Sequence, residues 1–180
     1  MRADRFKQVL KNSVYRTIGE TASAIGASNG ERSLRVLMYH KVNDLPGNPL
    51  TMPVSIFDEQ MDQLRDLDYT VVDLDAVLGH YVDGKPLPER AVLITFDDGY
   101  FDNLDNAAGV LRKYGYPAVL FVPIGYLDDR HPLPHEEHLA AQGILNRTIE
   151  WEELADLERD RKSTRLNSSH YQPSRMPSSA

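Results

Sequence analysis

Apolar residues fall along the chain in two alternating rhythms. Four short runs are almost continuously apolar: Leu34–Tyr39, Tyr69–Val72, Ala91–Phe96 and Ala118–Val122. Runs of this length predict strands, and the unbroken Ala91–Phe96 run predicts one buried on both faces. Between them the apolar positions recur with helical spacing. A helix of about 56–67 places Phe57, Met61 and Leu64 on one face, with Ser55 as its N-cap. Leu74–Tyr81 predicts a helical turn or two. Asn103–Tyr114 gathers Leu104, Ala107, Ala108 and Leu111 on one face and closes at Gly115, and Trp151–Leu157 predicts a last amphipathic helix. Pro46, Gly47, Asn48, Pro49 and Pro53 mark one loop and Gly84 to Pro88 another. Strands alternating with helices predict an α/β fold with a parallel sheet, open or rolled into a barrel.

Both ends of the chain depart from this rhythm. Phe6, Leu10, Val14, Ile18 and Ala22 recur every four residues, and Arg2, Arg5, Lys7, Lys11 and Arg16 surround them. This N-terminal amphipathic helix, with a linker at 27–31 completing the segment 1–30, is expected to cap the main domain. Contact with an anionic membrane surface through residues 2–22 is the less favoured reading. Residues 161–180 hold Arg161, Lys162, Arg165 and Arg175, no acid, six serines and two prolines, with no apolar period. The tail is expected to be disordered. Its run Ser-Thr-Arg-Leu-Asn-Ser-Ser-His at 163–170 also resembles translated adapter read-through, so 161–180 is set aside from the fold.

Composition narrows the function. The chain has 180 residues, enough for one sizeable core, and 41% hydrophobic content. Its 27 acidic residues outnumber 20 basic ones, giving a net charge of −7. Over residues 1–160 the balance is 16 basic against 27 acidic, which argues against a nucleic-acid-binding surface. No apolar stretch reaches the ~20 residues of a membrane span, and no apolar leader segment opens the chain. A cytoplasmic location is the default expectation on those grounds. There is no cysteine, so thiolate chemistry and disulfides are excluded.

Candidate chemistry concentrates at Asp97-Asp98-Gly99, directly after the Ala91–Phe96 run. Two adjacent carboxylates are costly to bury unless a cation or a shared proton offsets them. The glycine permits a sharp turn and close backbone approach. Such residues can equally cap the following helix and make the turn. In parallel α/β folds, however, chemistry gathers at the carboxyl ends of strands. His40, which closes the first strand, shares that edge and could be a ligand, a proton carrier or a backbone-bonded residue.

Three segments together resemble one family. They are Leu-Met-Tyr-His-Lys-Val at 37–42, the stretch Phe57 to Val72 with Gln60, Leu64 and Tyr69-Thr70-Val71-Val72, and Leu-Pro-Glu-Arg-Ala-Val-Leu-Ile-Thr-Phe-Asp-Asp-Gly-Tyr at 87–100. The third runs on into Leu111-Arg-Lys-Tyr-Gly-Tyr-Pro-Ala-Val-Leu-Phe-Val at 111–122. In this order they resemble the N-terminal half of a polysaccharide deacetylase of the NodB-homology (carbohydrate esterase 4) type, over about 34–160. The resemblance implies an incomplete, distorted (β/α) barrel with a divalent metal, often zinc, at its C-terminal face. It implies Asp97 as general base, Asp98 as metal ligand, and His40 lining the substrate pocket. It also implies hydrolysis of N-acetyl groups, less so O-acetyl groups, on a cell-surface or exported polysaccharide or an oligosaccharide of that kind. No nucleic acid is implied.

The chain departs from that pattern where the site should be completed. The family's second motif, H-[ST]-x-x-H, carries two further metal-ligating histidines and occurs nowhere in the 180 residues. The family's later motifs, which supply an arginine, an oxyanion donor and a catalytic histidine, are also missing. The expectation is a domain truncated at its C-terminus, with zinc binding lost or weak and no activity, since a catalytic zinc normally takes three protein ligands. His131, His135 and His138 are expected to lie on a surface loop, because Pro132 and Pro134 interrupt any helix that could align them. The alternative reading is a non-catalytic carbohydrate-binding or assembly module on the same fold. A response-regulator-like domain would share the strand-end aspartates but should carry a lysine at the end of its last strand, and none stands there.

Overall fold

A computed structural model describes residues 33–45, 48, 50–127, 132–144, 146–159 and 166–171. The expected N-terminal helix and linker, residues 1–30, lie outside the described residues, as does His131. The strands are β1 (Arg35–Tyr39), β2 (Lys41–Val42), β3 (Thr51–Met52), β4 (Thr70–Val71), β5 (Ala91–Phe96), β6 (Ala118–Pro123) and β7 (Leu166–Tyr171). The helices are α1 (Val54–Asp66), α2 (Leu74–Asp83), α3 (Ala108–Tyr114), α4 (Glu137–Ala140) and α5 (Trp151–Arg159).

The sheet is parallel and centred on β5, all six of whose residues are buried. One edge of β5 pairs with the whole of β1, from Arg35 opposite Val92 to Tyr39 opposite Phe96. The other edge is shared. β4 takes its start, with Thr70 opposite Ala91, and β6 takes its end, with Phe96 opposite Leu120. Two strands on one edge of a third require the sheet to bend sharply, which is the distortion of an incomplete barrel. The short parallel pair β2–β3 lies beyond β1 in sequence.

β7 lies within the tail that was expected to be disordered. It runs parallel to β6 over six residues, Ala118 opposite Leu166 through Pro123 opposite Tyr171. For these residues a strand replaces the expected disorder. The physical reason is the open edge of β6, whose backbone N–H and C=O groups need partners that a polar, serine-rich segment can supply as well as an apolar one. The remaining tail residues lie outside the described residues.

The helices follow their apolar stripes, with differences at the ends. α1 buries Phe57 and Met61 as its pattern predicts, but Ser55 is not its cap. Pro53 begins the helix instead, its carbonyl accepting from the N–H groups of Ile56 and Phe57 at 3.0 and 2.9 Å. Proline costs nothing there, because its missing donor would be unpaired anyway and its fixed φ suits helix entry. α2 extends to Asp83 because Asp73 caps it, accepting from the Ala76 N–H at 2.9 Å, and Gly84 ends it at φ 70°. The segment predicted as one helix from 103 opens as a π turn over Asn103–Ala107 before α3 begins, and Gly115 closes α3 at φ 68° as predicted.

The core forms between α1, α3 and one face of β5 and β6, with Phe57, Met61, Phe96, Leu111 and Leu120 essentially without exposure. Phe57 sits edge-on to Tyr39, with ring centres 5.0 Å apart, and 5.9 Å from Phe96. Phe57→Ala is expected to cost about 3–5 kcal/mol through lost burial and the cavity left behind. Ile56→Ala, beside it on the exposed side of α1, is expected to cost about 0.5 kcal/mol or less. Urea unfolding followed by circular dichroism checks both.

Candidate functional site

The carboxyl ends of β1, β5 and β6 meet at one edge. Because Tyr39 stands opposite Phe96, the residues that follow them, His40 and Asp97, are also brought side by side. The Asp97 N–H donates to the Tyr39 carbonyl at 2.9 Å, extending the ladder one step into the site. Tyr39 is fixed below by donating its hydroxyl to Gln60 Oε1 at 2.7 Å, and burial pushes its phenol up to about 12. Burial raises the Asp97 carboxyl above its ordinary 3.8, the Asp98 charge adds to the rise, and His40 partly offsets it.

After Asp97 the chain turns through two successive left-handed residues, Asp98 at φ 67° and Gly99 at φ 57°. Aspartate tolerates this region and glycine occupies it freely. A side chain at Gly99 would also meet Val122 Cγ1 at 3.0 Å, so the turn packs tightly on β6 there. The turn is clasped from outside by residues 147–149. The Ile149 N–H donates to the Gly99 carbonyl at 2.8 Å, and Phe101 N–H to the Arg147 carbonyl at 3.0 Å. Tyr100 and Thr148 form an antiparallel bridge, and Thr148 Oγ1 donates to the Tyr126 carbonyl at 2.9 Å.

Beneath this turn lies a buried polar cluster. Lys41 is wholly buried, and its ammonium pairs with the buried Glu136 and stands 4.8 Å over the Tyr100 ring. Glu136 also accepts from Asn146 Nδ2 at 3.0 Å. Burial alone would raise the Glu136 carboxyl, but the hydrogen bonds from Lys41 and Asn146 outweigh it and hold the group below its ordinary 4.5. Asn43 donates to Asp102, whose carboxyl is pushed up chiefly by burial. Burial also pushes the Tyr100 phenol up, keeping it neutral at physiological pH. Asn43, Tyr100, Asp102 and Asn146 line a small cavity of about 150 Å³.

The segment expected as a featureless surface loop contributes to the site. Pro134–Glu136 is a 3₁₀ turn that leads into α4. His135 lies on its exposed side, with Nε2 3.0 Å from the Tyr100 hydroxyl and 3.6 Å from Asp98 Oδ2. His138 is exposed, but it lies in α4 and not in the expected loop. Buried Leu133, Glu136 and Leu139 hold the segment down, which the prolines conceal in the sequence because they rule out only a regular helix. Asp98 and His135 are thus one oxygen and one nitrogen donor within reach of a single cation. Among the described residues no three His, Asp or Glu side chains converge as a metal site.

Lys41, Tyr100, Asp102, His135, Glu136 and Asn146 were not picked out from sequence as site residues. The available signal was weak: a lysine inside the apolar Leu37–Val42 run, whose burial demands a counter-charge from elsewhere.

The elements together define an α/β domain of the partial, distorted barrel class, with its candidate site at the C-terminal edge of the sheet. The same fold appears in the structure of IcaB from Ammonifex degensii, with TM-score 0.61 and 24% identity over 76% of this chain and 52% of that one. Residues 84–171 match the sequence profile of the polysaccharide deacetylase family. YxkH of Bacillus subtilis, a candidate polysaccharide deacetylase, is 40% identical over 129 residues, covering 69% of this chain and 45% of its own length. The poly-β-1,6-N-acetyl-D-glucosamine N-deacetylase of Escherichia coli K12 is 35% identical over 91 residues, covering 49% of this chain and 13% of its own. Residues 84–171 are thus similar to the polysaccharide deacetylase family, and the fold is the one seen in solved deacetylase structures. The chain spans less than half the length of these two curated relatives.

Glu136 ties stability to pH. Its folded-state carboxyl ionises more readily than in the unfolded chain, so its contribution is complete above pH 4.5 and is lost as pH falls through the lower folded value. Glu136→Gln leaves Lys41 buried without its counter-ion and is expected to cost about 3–5 kcal/mol at pH 7. The difference between the two proteins is expected to shrink on acidification below pH 4.5. Urea midpoints measured from pH 7 to pH 3 check this.

Proposed function

We propose that this domain serves in a metal-dependent polysaccharide deacetylase that hydrolyses N-acetyl groups of a cell-surface or exported polysaccharide. The observation that carries the reading is Asp97 and Asp98 directly after β5, all of whose residues are buried, beside His40 and leading into a turn of two left-handed residues, Asp98 and Gly99. A non-glycine residue in the left-handed region, as Asp98 is, recurs where function requires a particular placement. The E. coli relative named for poly-β-1,6-N-acetyl-D-glucosamine supports an N-acetylglucosamine polymer as substrate.

In the proposed reaction water adds to the acetamide carbonyl, the C–N bond breaks, and acetate and a free amine leave. Asp97 is the general base that takes the water's proton. Burial raises its pKa, which makes it a stronger base than an ordinary aspartate. Asp98 is the metal ligand, and His40 lines the pocket next to the base. When bound, a divalent cation such as zinc polarises the carbonyl and makes the attacking water easier to deprotonate. The domain that carries the site is taken as residues 34–160, with β7 completing the sheet beside β6.

The second reading, a non-catalytic carbohydrate-binding or assembly module, is favoured by one observation. Neither an H-[ST]-x-x-H motif in the sequence nor a three-donor cluster among the described residues completes a catalytic zinc site. The 180-residue chain by itself is accordingly proposed to release no acetate. The test is acetate release from N-acetylglucosamine oligosaccharides by the chain alone and by a chimera continued with the remaining part of YxkH. The chimera is expected to turn over and the chain alone is not. Asp97→Asn in the chimera is expected to lower kcat by about 10²–10⁴. Because the base works ionised, the rate should fall on acidification through a midpoint above 3.8. An active chimera indifferent to Asp97→Asn would remove the proposed base, and an inactive one would favour the module.

A further inference from the structure

We propose that His135 is a second protein ligand, beside Asp98, for a divalent cation at this edge of the sheet. The inference rests on the assignment of Asp98 as a metal ligand and extends it to a residue from a different element. Asp98 Oδ2 and His135 Nε2 stand 3.6 Å apart, beyond hydrogen-bond length. Two donors each about 2.0–2.2 Å from a tetrahedral zinc stand about 3.4 Å from one another, so the observed gap is close to that between ligands sharing one ion. Both side chains are partly open, at 28% and 46% exposure, which leaves room for a cation with water in its other positions.

The placement of His135 is built into the fold. Glu136, the next residue, is buried against Lys41 and Asn146, and Leu133 and Leu139 are buried on either side. The backbone that carries His135 is therefore pinned although the imidazole itself is exposed. The other contact of Nε2 is the Tyr100 hydroxyl at 3.0 Å. A hydroxyl hydrogen can rotate away from the ring nitrogen, which would leave the imidazole lone pair to a cation. The donor set of one imidazole and one carboxylate suits zinc or cobalt better than calcium or magnesium. Two protein donors make a weak site, which further donors would tighten.

The test uses the 180-residue chain. Zinc affinity is measured at pH 7.5 by competition with a chromophoric chelator, and cobalt(II) absorption reports nitrogen ligation. One zinc per chain is expected, with His135→Ala and Asp98→Asn each weakening it by at least about tenfold and His138→Ala leaving it unchanged. Imidazole ¹⁵N shifts of His135 during zinc titration of the unaltered chain read the same contact without a substitution. Unchanged affinity in His135→Ala with weakened affinity in Asp98→Asn overturns the His135 assignment and leaves Asp98 standing. Unchanged affinity in both variants overturns both. No zinc binding up to about 1 mM overturns the His135 assignment, while Asp98 is then judged by Asp98→Asn in the acetate assay of the chimera.

Discussion

The parallel register of β1 on β5 is the constraint on which the rest depends. It is fixed by apolar burial, because every residue of β5 faces packed protein and a slip by one would turn Ile94 and Phe96 out of the α1–α3 core. That same register determines the chemistry. With Tyr39 opposite Phe96, the first polar residues of the two strands, His40 and Asp97, must emerge next to each other. Packing energy spent far from the site thereby delivers its charged groups, and it does so with the precision of a hydrogen-bond ladder that continues through the Asp97 N–H.

A second constraint acts through charge. The Lys41 ammonium has no access to solvent, so the fold must supply a carboxylate, and it draws that carboxylate from a segment 95 residues away in sequence. Glu136 brings with it the 3₁₀ turn that carries His135, and Asn146 with the bridge that clasps the Asp98–Gly99 turn. A pair of this kind adds little net stability compared with well-packed apolar residues. What it does in this fold is tie Lys41 of β2 to the 3₁₀ turn that carries Glu136.

The strands and helices were legible in the sequence because burial imposes period on composition: Ala91–Phe96, the Phe57–Met61–Leu64 face and the Gly115 stop all stand where the pattern puts them. So was the Asp97–Asp98–Gly99 edge, since a polar break after a buried run marks a strand's end. What was not legible depends on distant pairing. Ser55 is a good cap by type, but Pro53, two residues earlier, takes the role. The 3₁₀ turn around His135 has no period of its own and exists because Leu133, Glu136 and Leu139 find partners elsewhere. β7 likewise depends on the open edge of β6 and on nothing in its own composition.

The two aspartates after β5 illustrate how one turn separates two nearly identical groups. Asp97 still belongs to the ladder, partly buried beside His40, and its carboxyl is raised. Asp98, one residue on, has passed into left-handed backbone and stands against His135. A regular strand would send adjacent side chains to opposite faces of the sheet. The left-handed step releases Asp98 from that alternation while Gly99, packed on Val122, keeps the turn tight. Two carboxylates of one type are thereby given different partners, which is what a division between base and ligand would require.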